Sequence, residues 1–145
     1  MKRSGRILLV EDNDDDIELT LHAFGRSRIA NHITVVRDGE EALDYLLGRG
    51  AFADVPPPLP EVVLLDLKLP RVDGLEVLQQ IRAAERTRRI PIVILTSSKE
   101  ERDIVESYDR GANSFVRKPV DFLQFAAAAE HLGLYWLVMN EPPPA

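Results

Sequence analysis

Val62-Val63-Leu64-Leu65-Asp66 reads as a strand buried on both faces that ends on a carboxylate. An unbroken, β-branched aliphatic run of this length suits a parallel strand covered by helices above and below. A carboxylate at the end of such a run is costly unless something pairs with it, so Asp66 is the residue to explain. Outward from this run the pattern recurs. Ile7-Leu8-Leu9-Val10 leads into Glu11-Asp12, Ile92-Val93-Ile94-Leu95 into Thr96-Ser97, and Ser114-Phe115-Val116 into Lys118-Pro119, with Ile33-Thr34-Val35-Val36 as a further aliphatic stretch. Between them lie helical patterns over about residues 14–26, 39–47, 74–86 and 100–109, and a last one over about 121–140. In the third, Leu75, Leu78 and Ile81 recur along one stripe. Five strand–helix units in series predict an α/β fold with a doubly wound five-stranded parallel sheet. Right-handed crossovers leave few strand orders, of which 2-1-3-4-5 is a common one.

The chain has 145 residues, 45% of them hydrophobic and 29% charged, which suits one globular domain over 1–145. Its core is expected over about 6–120, with the last helix and tail over 121–145 and no output domain. There is no cysteine, which excludes disulfides, thiolate metal sites and cysteine nucleophiles. The basic start, Met1-Lys2-Arg3-Ser4-Gly5-Arg6, precedes an apolar run that stops at Val10, too short for a signal peptide or membrane span. The net charge of −6 speaks against a nucleic-acid surface. A soluble, cytoplasmic protein is the expectation. Residues 51–60, with Pro56-Pro57-Pro58 and Pro60, are expected to form a stiff extended loop, neither helix nor inner strand. Recognition of this run by an SH3-type domain is the weaker reading of it.

The chemistry gathers at the carboxyl ends of the strands, where open α/β sheets bind ligands. With order 2-1-3-4-5 the switch point lies between the first and third strands, so Glu11, Asp12 and Asp66 should converge there. Carboxylates about 4 Å apart repel by roughly 4 kcal/mol per pair at an effective dielectric near 20. A hard divalent cation, Mg²⁺, suits such an all-oxygen set, Lys118 adds a fixed positive charge, and Thr96 a hydroxyl donor. A carboxylate nucleophile with these groups around it can stabilise the oxygens of a transferring phosphoryl group, with Asp66 attacking phosphorus. Neither a P-loop nor a Gly-rich loop follows the first strand, so the donor should be another protein or a small phosphodonor rather than bound ATP.

At these residues the chain resembles the response-regulator receiver family. Residues 7–13 (ILLVEDN), 64–74 (LLDLKLPRVDG), 90–98 (IPIVILTSS) and 111–119 (GANSFVRKP) are similar, in order and spacing, to the four signature regions of that family. The resemblance implies a flavodoxin-like (βα)5 fold and a phosphoprotein of two-component phosphorelay signalling. Such a protein is a phosphoacceptor and not an enzyme, with only self-catalysed aspartyl phosphorylation and dephosphorylation. It implies that Asp66 is the phosphoacceptor, that Asp12 and Asp66 bind Mg²⁺ directly, and that Glu11 is the outer acid orienting metal-bound water. Lys68 would give the metal its backbone carbonyl. Thr96 matches the switch hydroxyl and Lys118 the family's lysine, whose peptide bond to Pro119 is cis in the family. Phe115 stands at the aromatic switch position, where a tyrosine is frequent, so only a rotamer role can remain. The loop before the third strand and the ending around Tyr135-Trp136 resemble small stand-alone regulators paired with bacterial phytochrome histidine kinases. That implies a phytochrome-type sensor histidine kinase as donor.

Each residue also has a plainer reading. Asp12 alone would be a helix cap, Thr96-Ser97 an N-cap pair, and Lys118 a solvated lysine. Asp14, Asp15 and Asp16 read as first-turn acids favoured by the helix dipole, not as ligands, and His22, His32 and His131 as ordinary surface or packing residues. In the last helix one apolar stripe, Phe122, Phe125, Ala129, Leu132 and Trp136, is enough to cover the sheet. A second stripe, Leu123, Ala127, Leu134, Leu137 and Val138, predicts a homodimer through the last helix. Two other classes compete. A haloacid-dehalogenase-type phosphatase would carry D-x-D at its first strand, and a non-phosphorylated adaptor of receiver fold typically lacks the acid pair, acceptor or lysine. This chain has Asp66 at the third strand and keeps all of those groups.

Overall fold

A computed structural model describes residues 5–26, 31–118 and 121–143, the side chain of Phe122 apart. The strands are β1 (Arg6–Val10), β2 (His32–Val36), β3 (Val62–Leu65), β4 (Ile92–Thr96) and β5 (Ser114–Arg117). They form one parallel sheet in the order β2-β1-β3-β4-β5, as expected from the aliphatic runs. The pairing register sets Val10 beside both Val36 and Leu65, and Thr96 beside Arg117, so the strand ends carrying acids and hydroxyl lie at one edge.

The helices are α1 (Asp14–Gly25), α2 (Gly39–Leu47), α3 (Gly74–Ala83), α4 (Glu101–Asp109) and α5 (Phe122–Leu134). Alternation along the strands splits the core in two. Leu8, Val10, Val63, Leu65, Ile92 and Ile94 face α2 and α3, with Ala42, Leu46, Val77, Leu78 and Ile81 packed on them. Ile7, Leu9, Val62, Leu64 and Val93 face α1 and α5, covered by Ile17, Phe24, Ala129, Trp136 and Leu137. Four helices begin on an Asx cap that accepts a hydrogen bond from the first turn: Asn13, Asp38, Asp73 and Asp121. The exception is α4, whose N-cap, Glu100, makes no side-chain cap.

Several expected boundaries shift. Helix α3 ends at Ala83 instead of running to residue 86, because the Thr87 hydroxyl takes the Ile81 carbonyl at 2.7 Å and Ala84 turns extended. A short 3₁₀ turn, Gly50–Phe52, opens the proline-bearing loop where no helix was expected; its Phe52 ring sits edge-on to Tyr45. The last helix runs on from α5 through a π turn, Tyr135–Met139, to the Asn140 expected as its end. Leu137, assigned to the outer stripe, is instead buried against the sheet at 4% exposure, since the wider π turn rotates it onto the Trp136 side. His22, His32 and His131 are exposed, as expected. No helix among the described residues is long and apolar enough to cross a membrane.

Candidate functional site

The caps decide between the plain and the chemical readings of the acids. Asn13, not Asp12, caps α1, its side chain accepting from the Asp16 N–H at 3.0 Å. That leaves Asp12 exposed on the turn after β1 with its carboxylate uncommitted to the helix. Thr96 and Ser97 are likewise not caps, because α4 starts only at Glu101. Glu11 and Asp66, at the ends of the adjacent strands β1 and β3, are buried at 2% and 7% exposure. One carboxylate oxygen from each of Glu11, Asp12 and Asp66 lies within 4.8 Å of the others, the convergence expected from the strand order.

Lys118, one residue past β5, reaches across to this cluster. Its ammonium is 2.5 Å from Glu11 Oε1, 2.8 Å from Asp16 Oδ2 and 3.2 Å from Asp66 Oδ2. The side chain is almost wholly buried, so it is no solvated lysine. Burial works against its charge, but the hydrogen bonds to Asp16 and Glu11 and the charges of Asp66 and Glu11 outweigh that and raise its pKa above the ordinary lysine value. In Glu11 burial wins, and the rise disfavours its charged form. Loss of solvation lifts its carboxyl to about 7, Asp66 adds to the rise, and Lys118 opposes it. Both Glu11 oxygens already have donors, Lys118 on one and the Asn13 N–H, at 3.3 Å, on the other.

Asp16 corrects the expectation that the three first-turn acids are alike. Asp14 pairs with Arg37 on the surface and Asp15 is exposed, but Asp16 points back over the strand ends and holds Lys118. Sequence offered no signal for this, since only the direction of α1 separates Asp16 from its two neighbours. Thr96 is fully buried at the end of β4, its oxygen accepting the Ser98 N–H at 3.3 Å. Ser98 in turn donates to the buried carboxylate of Asp103, at 2.6 Å, tying the loop after β4 to α4. Phe115 pairs with Ile94 across β4–β5 and is half-buried against the α2–α3 side of the core. Lys68 is exposed, with its N–H 3.4 Å from Asp66 Oδ1. The Lys118–Pro119 peptide bond, expected to be cis, lies outside the described residues.

Three carboxyl groups thus contact one ammonium and a fourth, Asp12, exposed to solvent, joins Glu11 and Asp66, a set with an unbalanced negative charge and oxygen donors. Such a site fits a hard divalent cation. An acidic cluster at the strand ends of this sheet, with a buried lysine and a strand-end hydroxyl, defines a receiver, and the chain belongs to the response regulator receiver domain family, whose model matches residues 7–130. Among curated relatives it is similar to the probable methanogenesis regulatory protein FilR2 of Methanothrix harundinacea, with 44% identity across 94% of this chain and 86% of FilR2. It is 34% identical to response regulator Rcp1 of Synechocystis sp. across 96% of this chain and 93% of Rcp1. The crystal structure of the Mn²⁺-bound form of Rcp1 superposes with a TM-score of 0.89 over 97% of this chain and 99% of that one, at 33% identity. The bacteriophytochrome response regulator RtBRR is 56% identical, with a TM-score of 0.75 over 99% of this chain and 86% of RtBRR. The chain is therefore a receiver of a two-component system, with structural neighbours among the stand-alone phytochrome response regulators.

Proposed function

We propose that this chain is a phosphoacceptor that takes a phosphoryl group onto Asp66 from a phytochrome-type sensor histidine kinase and signals by changing its partner surface. The observation that carries this reading is the buried Asp66 carboxylate, at a strand end, beside Glu11, Asp12 and the Lys118 ammonium. In the transfer, an Asp66 oxygen bonds to phosphorus as the donor's phosphorus–nitrogen bond breaks, and the departing imidazole keeps the electron pair and takes a proton. Lys118 places positive charge against the oxygens of the incoming group, and Thr96 offers a hydroxyl from the neighbouring strand end. Asp12 and Asp66, with the backbone carbonyl of Lys68, would hold Mg²⁺, which when bound neutralises charge on the phosphoryl oxygens. Glu11, whose oxygens are already occupied by Lys118 and Asn13, suits the outer place, orienting a metal-bound water.

The phytochrome pairing is supported by the likeness to RtBRR and Rcp1 across nearly the whole chain. The proposed output is a homodimer through the last helix, where Leu123, Leu134, Tyr135, Val138 and Met139 are exposed. The deciding experiment is transfer from phosphorylated histidine kinases, phytochrome-type among them, to wild type and Asp66→Asn. Rapid transfer from a phytochrome-type kinase to wild type alone is the expected result. Transfer that persists in Asp66→Asn would remove the acceptor, and preference for an unrelated kinase would remove the pairing. Steady hydrolysis of small phosphate esters would favour a phosphatase instead.

A further inference from the structure

We infer that Gly39 and Arg71 are positioning residues for the metal site: the start of α2 seats the loop after β3 and so places the Lys68 carbonyl. This rests on the metal-binding role proposed above for that carbonyl. Gly39 is the first residue of α2 and has ordinary helical backbone, so no dihedral demands glycine there. The demand comes from contact. A Cβ at Gly39 would lie 1.8 Å from the Val72 carbonyl oxygen, 2.7 Å from its carbon and 2.8 Å from Val72 Cβ. Two of those atoms are backbone, so any larger residue must push the loop away.

Further contacts hold the same stretch. The Gly39 N–H donates to the Pro70 carbonyl at 3.3 Å, and the Val72 N–H donates to the same oxygen at 2.9 Å. That tight turn puts Arg71 at φ +68°, a left-handed conformation that a non-glycine residue keeps only when its surroundings hold it. Here the guanidinium is held by Glu40 at 3.0 Å and Asp38 at 3.7 Å, both at the start of α2. The loop's ends are closed as tightly. Gly74 donates to the Leu67 carbonyl at 3.0 Å, and a Cβ on Gly74 would lie 2.3 Å from the Asp66 carbonyl oxygen. The loop is thus closed at its ends by Gly74 against Asp66 and Leu67, just past β3, and seated in its middle on the start of α2. Lys68 is exposed on its outer rim. Its carbonyl is therefore placed before any ion arrives, which spares the binding step the entropy of ordering the loop.

Calorimetric titration with Mg²⁺, beside thermal unfolding in EDTA, tests this on the full chain and three variants. Gly39→Ala should weaken Mg²⁺ binding by roughly 10- to 100-fold, the range seen when support around metal ligands is lost. Gly111→Ala is the control for plain destabilisation. Gly111 has φ +104° and a Cβ there would meet Arg82 Nε at 2.9 Å, in the turn entering β5 at the far end of the sheet. It should lower the melting temperature and leave Mg²⁺ affinity as in wild type. Arg71→Gly keeps the left-handed turn without strain and folds even if Gly39→Ala does not. Removing a cation near the acids would, on charge alone, strengthen Mg²⁺ binding, so weaker binding in Arg71→Gly points to the loop. Wild-type affinity in both Gly39→Ala and Arg71→Gly, or stronger binding in the latter, overturns the seat and leaves the metal site standing. A wild-type chain that binds no Mg²⁺ removes the metal site itself.

Discussion

At the scale of single residues, the acid cluster trades stability for a charged site. Asp66 sits among carboxylates, offset by the Lys118 ammonium at 3.2 Å and the Lys68 N–H at 3.4 Å. Asp66→Asn should therefore stabilise the metal-free protein, by about 1 kcal/mol or roughly 3 °C in Tm. The same variant should take up no hydroxylamine-labile phosphoryl group from acetyl phosphate and Mg²⁺, with intact mass as the readout. Unchanged melting together with retained label would contradict both expectations. Glu11 gives a pH dependence with a definite sign. Its carboxyl titrates near 7 in the folded chain against 4.5 as the ordinary value, so the folded state binds the proton more tightly. Stability from this group is greatest below pH 4.5 and declines as pH rises from there to about 7. In EDTA, the stability of wild type relative to Glu11→Gln should fall across that window, followed by urea unfolding at several pH values. A difference that rises with pH would mean that Lys118 keeps Glu11 ionised throughout.

At the scale of elements, one side chain from the last turn of α3 ties together the segments that follow it. Arg82 donates to the carbonyls of Gly111 at 2.9 Å, Arg88 at 3.0 Å and Ile90 at 2.7 Å, and to the Asn113 side chain at 2.8 Å. It thereby joins the turn before β4 to the turn before β5, and burial lowers its pKa without removing its charge. Arg82→Ala takes this donor from all four acceptors, of which the Asn113 oxygen keeps the Ile92 N–H, and should cost about 3 kcal/mol in denaturant unfolding. Arg82→Lys should recover little, since an ammonium lacks the planar fork that reaches several acceptors at once. Full recovery with lysine would reduce Arg82 to a point charge. Arg86 does similar work on the proline-bearing loop, donating to the Leu46 carbonyl at 3.3 Å and the Pro57 carbonyl at 3.2 Å. That loop is pinned from α3's side of the molecule, as well as stiffened by its prolines.

At the scale of the whole molecule, the exposed apolar residues concentrate on the last helix. Leu123 is 74% exposed, Met139 66%, Val138 51% and Leu134 43%. Covering them in a homodimer would contribute on the order of several kcal/mol before the cost of association. The proposal predicts a dimer in solution at micromolar concentration. Because Leu137 is a core residue, the variant that tests the outer face without harming the fold is Leu134→Glu/Val138→Glu. Sedimentation should find it monomeric, with a melting temperature close to that of the wild-type protomer. A monomeric wild type, or a charged variant that still dimerises, would take the last helix out of this account.

The sequence by itself determined the class of fold and most of the site. Aliphatic runs with no polar alternation specify the three inner strands, β1, β3 and β4, as buried on both faces; with the half-exposed β2 and β5 at the sheet's edges and helical patterns between all five, they leave little choice but a doubly wound parallel sheet. Once that order is known, Glu11, Asp12, Asp66, Thr96 and Lys118 must meet, because each ends or follows a strand at the same edge. Tertiary structure decided what depends on direction and distance. Three consecutive acids look alike in sequence, but the rise and turn of α1 send Asp16 alone to Lys118. The π turn after α5 moved Leu137 from the outer stripe to the core, a rotation of the helix face that a constant 3.6-residue period does not anticipate. Gly39 looked like the start of a helix, and only the 1.8 Å between its missing Cβ and the Val72 carbonyl oxygen shows why it is glycine. Local periodicity is written along the chain, whereas close contact between segments distant in sequence exists only once the chain has packed.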